Sequence, residues 1–204
     1  MNKPKNPYKG GLQIRSCEKH EFHWYRSPKT GSSSLDFLFK KEGIITKGVY
    51  LSNPKFSFSF VRNPYDRLLS CWKNKIHNAI NIESKFCSPF CKVLARENIS
   101  FKNFVKIITE CDDLLYRTDR HWTPYTTLFE YCKEEKLDFI GKFENLQNDI
   151  NIVCDKIGIP RKQLPHKNKT KHKHYTEYYD DGTREIVAEK YAKDIEQFGY
   201  EFGK

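Results

Sequence analysis

The sequence predicts an α/β protein, a parallel sheet with helices on both faces. Three observations carry that reading. "FHWYRS" (22–27) is a short apolar run that feeds a Ser/Gly-rich loop and then an amphipathic stretch. In "KFSFSFVRNP" (55–64), Phe56, Phe58 and Phe60 alternate with serine before Val61, the period and composition of a strand. A third strand-like run, "KLDFIGKF" (136–143), precedes another helical stripe. Strands separated by helical segments build parallel sheets, and such sheets bind ligands at the carboxyl ends of their strands.

The helices follow from spacing. Ser33 to Lys41 reads as the helix after the first strand. After the second strand, Pro64 falls just inside the next helix, where a missing N–H costs least. There Leu68, Trp72 and Ile76 recur four apart, with Tyr65 and Leu69 beside them. In 100–111, Phe101, Phe104, Val105 and Ile108 share one face. Leu146, Ile150, Val153 and Ile157 form a stripe ended by Gly158 and Pro160. A last amphipathic helix over Ile186, Val187, Tyr191, Ile195 and Phe198 stops at Gly199.

With 204 residues, 38% of them apolar and 15% aromatic, the chain is expected to form one domain, 1–204, with an N-terminal extension over 1–21. Lys and Arg outnumber Asp and Glu by 36 to 26, a formal charge of +10. Arg161, Lys162, Lys167, Lys169, Lys171 and Lys173 crowd a basic loop, 161–174, that holds no acid, which favours an anionic ligand over a uniformly basic coat. No apolar run is long enough to span a membrane, and "MNKPKNPYKGG" lacks the apolar segment of a secretory signal. Seven cysteines (17, 71, 87, 91, 111, 132, 154) at irregular spacings suit reduced thiols, so a cytoplasmic protein is expected. Cys87 and Cys91 form C-x3-C without a second pair, which argues against a structural zinc site.

Two stretches carry chemistry. "PKTGSSS" (28–34) places Lys29, Thr30, Gly31, Ser32, Ser33 and Ser34 where a strand turns into a helix. Backbone N–H groups at a helix N-terminus, joined by a lysine, form an oxyanion cradle. The lysine precedes the only glycine, unlike the triphosphate loop G-x-x-x-x-G-K-[ST]. In "SFVRNPYDRLLSCW" (59–72), Arg62 ends a strand and Ser70 lies eight residues on, two turns into a helix. A guanidinium and a serine so spaced can grip one phosphate. Alternatively, Arg62 pairs with Asp66 and Ser70 merely packs.

Together and in this order, "PKTGSSSL" and "RNPYDRLLSCW" resemble the sulfotransferases that use 3'-phosphoadenosine 5'-phosphosulfate (PAPS). "HWTPYTTLF" (121–129), "DFIGKFENLQND" (138–149) and "YAKDIEQFGYEF" (191–202) extend the similarity to the Golgi carbohydrate sulfotransferases of the chondroitin and HNK-1 type, over about residues 22–202. The resemblance implies a P-loop-like, three-layer α/β/α fold with a central parallel sheet. It also implies sulfuryl transfer from PAPS to a hydroxyl of a carbohydrate, without a metal. Lys29 and the amides of Thr30 to Ser34 would then hold the phosphosulfate, with the Thr30, Ser32 and Ser33 hydroxyls as donors. Arg62 and Ser70 would hold the 3'-phosphate.

A general base is expected for the attacking hydroxyl, and His121 in the "HWTP" run is the first candidate. Its rival reading is a histidine that orders the loop; His77, His23 and Glu144 are further candidates for the base. The loop 166–174 would close over the nucleotide or receive an acidic acceptor. Compared with these relatives, the protein is expected to lack the N-terminal membrane helix, to carry fewer cysteines after His-Trp and to be compact. Those departures bear on the acceptor more than on the chemistry. Two other classes compete: an ATP-dependent phosphotransferase, which the loop order disfavours, and a nucleic-acid binder, which the core spacing of the aromatics disfavours.

Overall fold

The computed structural model describes residues 12–44, 46, 48, 50–77, 89–110, 119–132, 137–164 and 173–204. In chain order the elements are β1 (Gln13–Cys17), β2 (Phe22–Arg26), α1 (Ser32–Lys41), β3 (Phe56–Val61), α2 (Pro64–Trp72), α3 (Pro89–Arg96), α4 (Phe101–Glu110), α5 (Tyr125–Tyr131), β4 (Phe139–Lys142), α6 (Leu146–Ile157), α7 (Asp181–Lys190) and α8 (Ala192–Phe198). They fall into two compact units, both discontinuous in sequence. Leu12–Arg62 with Cys132–Lys171 form a sheet unit, and Asn63–Tyr131 with His172–Lys204 form a helical unit.

The sheet has the order β1-β2-β3-β4, with β2, β3 and β4 parallel and β1 antiparallel to β2. This is the expected α/β class, a central and mostly parallel sheet with flanking helices. The Phe-Ser alternation of β3 sorts its side chains by face. Phe56, Phe58 and Phe60 join Phe22 and Trp24 in one apolar cluster, where the Trp24 and Phe58 rings stack at 5°. Leu35, Leu38 and Phe39 of α1 and Ile150, Val153 and Ile157 of α6 complete that cluster. The serines of the other register, Ser57 and Ser59, are buried as well and spend their hydroxyls on Asp138 and on the Tyr25 carbonyl.

β4 runs against this core with almost no room. A Cβ added at Gly141 would lie 2.5 Å from Phe60 Cε1 and 3.1 Å from Asp149 Cβ. The glycine therefore lets β4 lie close to the Phe60 ring and to α6.

The helical unit has its own core: Leu68 and Leu69 of α2, Phe104, Val105 and Ile108 of α4, Trp122, Val187 of α7, and Tyr191. Asn63 caps α2 by accepting the Tyr65 N–H at 3.1 Å, with Pro64 in the first helical position as expected. Asp180 and Thr183 close a reciprocal capping box at the start of α7.

Three expectations change in detail. β1 lies within the span assigned to an N-terminal extension; its sequence, QIRSC, has no apolar alternation, because an edge strand is half exposed. The helix after β3 ends as α2 at Trp72 and widens into a π-helical turn, Lys73–His77. The single C-terminal helix is two, α7 and α8, broken at Tyr191. Cys87 and Cys111, residues 1–11, and positions 165–172 of the basic loop lie outside the described residues. Among the described residues no helix is long and apolar enough to cross a membrane, and no group of three or more His, Cys, Asp or Glu could hold a metal ion.

Replacing Gly141 by alanine is expected to cost about 1–3 kcal/mol, because Phe60 is buried and cannot swing away. Urea unfolding of the G141A chain measures this; an unchanged midpoint would mean that β4 has more room than the geometry gives it.

Candidate functional site

In the sheet unit the site is built at the carboxyl ends of β2 and β3. β2 leads into Ser27, whose hydroxyl lies 2.8 Å from that of Ser59 on β3, tying the strand ends together. The chain then turns through two left-handed residues, Lys29 at φ +67° and Gly31 at φ +76°, and enters α1. A left-handed lysine is uncommon, and two such residues within three positions turn the chain sharply. Gly31 is the N-cap of α1, with no side-chain cap. The Ser34 and Leu35 N–H groups donate to the Gly31 carbonyl at 2.8 and 3.2 Å, so the amides a ligand could meet are those before them, and no acidic residue occupies the first turn of α1. A Cβ at Gly31 would lie 2.6 Å from Leu146 Cδ2, so α6 closes one side of the turn.

The hydroxyls divide between two tasks. Thr30 Oγ1 and Ser32 Oγ both donate to the Ser27 carbonyl, at 2.9 and 2.8 Å, and both side chains are buried. These two were expected to donate to the anion; their protons instead close the turn, and backbone amides are what these positions offer. Ser33 is exposed, Lys29 is half-buried, and Ser34 is buried.

Arg62, only 8% exposed, follows β3 and donates from Nη1 to the Lys29 carbonyl at 3.2 Å. Its guanidinium lies 4.1 Å from the centroid of the Phe143 ring. A planar cation stacked on an aromatic face is oriented at little entropic cost. Phe143 is itself placed by Asp149, which accepts the Lys142 N–H at 2.5 Å and the Asn145 amide at 2.8 Å. "GKFENLQND" is therefore a supporting turn, supplying a platform for Arg62 and a wall for Gly31.

In the helical unit, Ser70 is half-buried on α2. His121 sits in a largely buried loop, several of whose backbone groups are met by side chains from elsewhere in the helical unit. Arg67 Nη2 donates to the carbonyls of Arg120 and Thr123, at 2.9 and 2.7 Å, with the guanidinium 3.8 Å from the Tyr125 ring centroid. The Tyr191 hydroxyl donates to the Trp122 carbonyl. Burial raises that phenol's pKa well above the ordinary value. Asp194, wholly buried, accepts from the Tyr125 and Thr126 N–H groups at 2.7 and 2.9 Å and from the Thr126 hydroxyl at 2.8 Å, capping α5. The backbone N–H and ring Nδ1 of His121 both meet Asp119 Oδ1.

The other candidate bases have different surroundings. His23 is fully buried in β2, and its Nε2 accepts the Leu51 N–H at 2.9 Å, the setting of a core histidine. His77 stacks on Trp72 at 4.6 Å. Glu144 is exposed on the single turn before α6. Sequence reasoning passed over Arg67, Asp119, Tyr191, Asp194 and Phe143. The Asp-x-His spacing was the one available signal, since an aspartate two residues back can bond to both the backbone and the ring.

A sequence model described as the sulfotransferase family matches residues 14–201. The chain belongs to the sulfotransferase family. Among its relatives, carbohydrate sulfotransferase 14 of Danio rerio is 27% identical over 164 residues, 71% of this chain and 44% of that protein. Human carbohydrate sulfotransferase 9 is 28% identical over 78% of this chain and 37% of its own length. Human carbohydrate sulfotransferase 10 is 22% identical over 93% of this chain and 67% of its own length. The chain thus spans less than half the length of the first two relatives. No solved structure matches it significantly.

Asp194→Ala is expected to destabilise the sulfotransferase chain by about 2 kcal/mol or more, since three donors lose their buried acceptor. Thermal unfolding followed by circular dichroism checks this; a loss under about 0.5 kcal/mol would mean that the loop does not need its cap.

Proposed function

We propose that this chain is a PAPS-dependent sulfotransferase that moves a sulfuryl group to a hydroxyl of a carbohydrate. The observation that carries the reading is the turn at Lys29–Gly31, where two left-handed residues lead into the N-terminus of α1 while Arg62 is held on the Lys29 carbonyl and on Phe143. Those residue types fit a 5'-phosphosulfate: amide dipoles, a lysine point charge and no competing carboxylate in the first turn of the helix. The names of the relatives supply the acceptor class, and the irregular spacing of the seven cysteines suits reduced thiols and a cytoplasmic setting.

Sulfuryl transfer, like phosphoryl transfer, depends mostly on positioning and charge stabilisation around an in-line displacement. The acceptor oxygen bonds to sulfur while the bond from sulfur to the bridging oxygen breaks, and the electron pair leaves with the 5'-phosphate of 3',5'-ADP. Lys29 would meet the charge growing on that bridging oxygen. The amides around Gly31 to Ser33 would hold the non-bridging oxygens, with Ser33 as the available hydroxyl donor, while the Ser34 amide donates to the Gly31 carbonyl. Arg62 and Ser70 would bind the 3'-phosphate, the group that sets PAPS apart from ordinary adenine nucleotides. His121 would take the proton of the acceptor hydroxyl. Fixed protein cations supply the charge, so the proposal needs no metal.

The test is transfer of labelled sulfate from PAPS to a panel of oligosaccharides. Lys29→Ala is expected to lower kcat by about a hundredfold while 3',5'-ADP affinity changes only a few-fold, because the lysine acts on charge that develops in the transition state. Arg62→Ala is expected to weaken 3',5'-ADP by about tenfold or more and leave 5'-AMP unchanged. Wild-type turnover in both variants would overturn the assignment.

A further inference from the structure

His121 has a partner that the catalytic reading leaves unexplained. Asp119 is 5% exposed, and burial alone would push its carboxyl pKa up. The ring hydrogen bond and charge of His121, the His121 backbone N–H and the Cys91 thiol together hold the pKa below the usual value instead. One oxygen, Oδ1, takes both the His121 backbone N–H, at 2.9 Å, and ring Nδ1; the other, Oδ2, takes the Cys91 thiol at 3.3 Å. His121 thus holds one carboxylate oxygen by backbone and ring, Cys91 of α3 holds the other, and the group has little freedom to rotate. Around the pair stand Cys91 on α3, Arg67 on α2, whose guanidinium reaches the Arg120 and Thr123 carbonyls, and Tyr191, which holds the carbonyl of Trp122.

We propose that Asp119 is a positioning residue for sulfuryl transfer, forming with His121 a carboxylate–imidazole pair that makes Nε2 the proton acceptor. This rests on the reading of His121 as the general base. An ionised carboxylate can only accept, so the neutral ring must carry its proton on Nδ1, and the lone pair then falls on Nε2. When the acceptor hydroxyl gives its proton to Nε2, its oxygen bonds to sulfur and the bridging S–O pair leaves with 3',5'-ADP. The positive charge formed on the imidazole then lies against a buried carboxylate that was ionised beforehand. Nothing has to reorganise at that moment. The same oxygen that orients the ring also binds the backbone of the residue carrying it, so loop geometry and tautomer are set together.

Asp119→Asn separates charge from shape, since an asparagine oxygen can still accept from both His121 groups. Full-length wild type, D119N and H121A are compared by kcat against pH and by calorimetry with 3',5'-ADP. D119N is expected to lower kcat by at least about tenfold with nucleotide affinity within about twofold. It should also move the acid limb of the kcat profile to lower pH by about one unit. The sign follows from charge: the carboxylate stabilises the imidazolium, so its removal lowers the His121 pKa and the ring stays neutral to lower pH. An unshifted limb and undiminished kcat in D119N, with H121A still inactive, would overturn the role of Asp119 and leave His121 as the base. Full activity of H121A would overturn both. A second measurement needs no Asp119 variant: imidazole nitrogen-15 shifts of His121, assigned by comparison with H121A, are expected to report the Nδ1–H tautomer, and an Nε2–H tautomer would overturn the proposal.

Discussion

A loop can be buried only if its carbonyls and amides find partners, and residues 119–126 find several of theirs in side chains from distant parts of the chain. Arg67 takes two carbonyls, Tyr191 takes a third, and Asp194 takes two amides and a hydroxyl. Each of these side chains is itself fully buried, so each would cost several kcal/mol if left without its partner. The dependence runs both ways: the loop needs the helices, and the helices need the loop to justify three buried polar groups. His121 inherits its position from this arrangement, and Asp119 its fixed carboxylate.

The sheet unit solves a similar problem at the other motif. The sharp turn at Lys29–Gly31 is held in shape by hydroxyls of the turn itself. Thr30 and Ser32 bond back to the Ser27 carbonyl, Ser27 meets Ser59, and Ser59 bonds to the Tyr25 carbonyl. Arg62 adds a bond from outside, to the Lys29 carbonyl, and is steadied by the Phe143 ring. The turn is thus held by its own side chains and their neighbours, and for the proposed sulfuryl transfer such a preset loop is what makes electrostatic stabilisation effective in a transition state.

Much of the fold was legible because burial imposes periodicity. Phe56, Phe58 and Phe60 had to share a face, and Leu146, Ile150, Val153 and Ile157 had to form a stripe, whichever protein contained them. β1 escaped notice because an edge strand has no such obligation. The break between α7 and α8 was hidden because Tyr191 fits the apolar stripe, while its hydroxyl is needed at the Trp122 carbonyl. At the site, the backbone-based features were legible from the lysine, the glycine and their place after a strand. The direction of the hydroxyls was not, since a serine that closes a turn and a serine that binds an anion are the same letter. Arg62 and Arg67 are likewise alike in sequence; only packing turns one toward the Lys29 carbonyl and buries the other beneath the His121 loop.

The central claim is that the chain discriminates a 3'-phosphorylated nucleotide, and calorimetric titration with 3',5'-ADP and, in parallel, with 5'-AMP addresses it most directly. The account predicts micromolar binding of 3',5'-ADP, at least about tenfold tighter than 5'-AMP, since one charged clamp is worth roughly that factor or more. Equal affinity for the two nucleotides, or binding of neither, would contradict it.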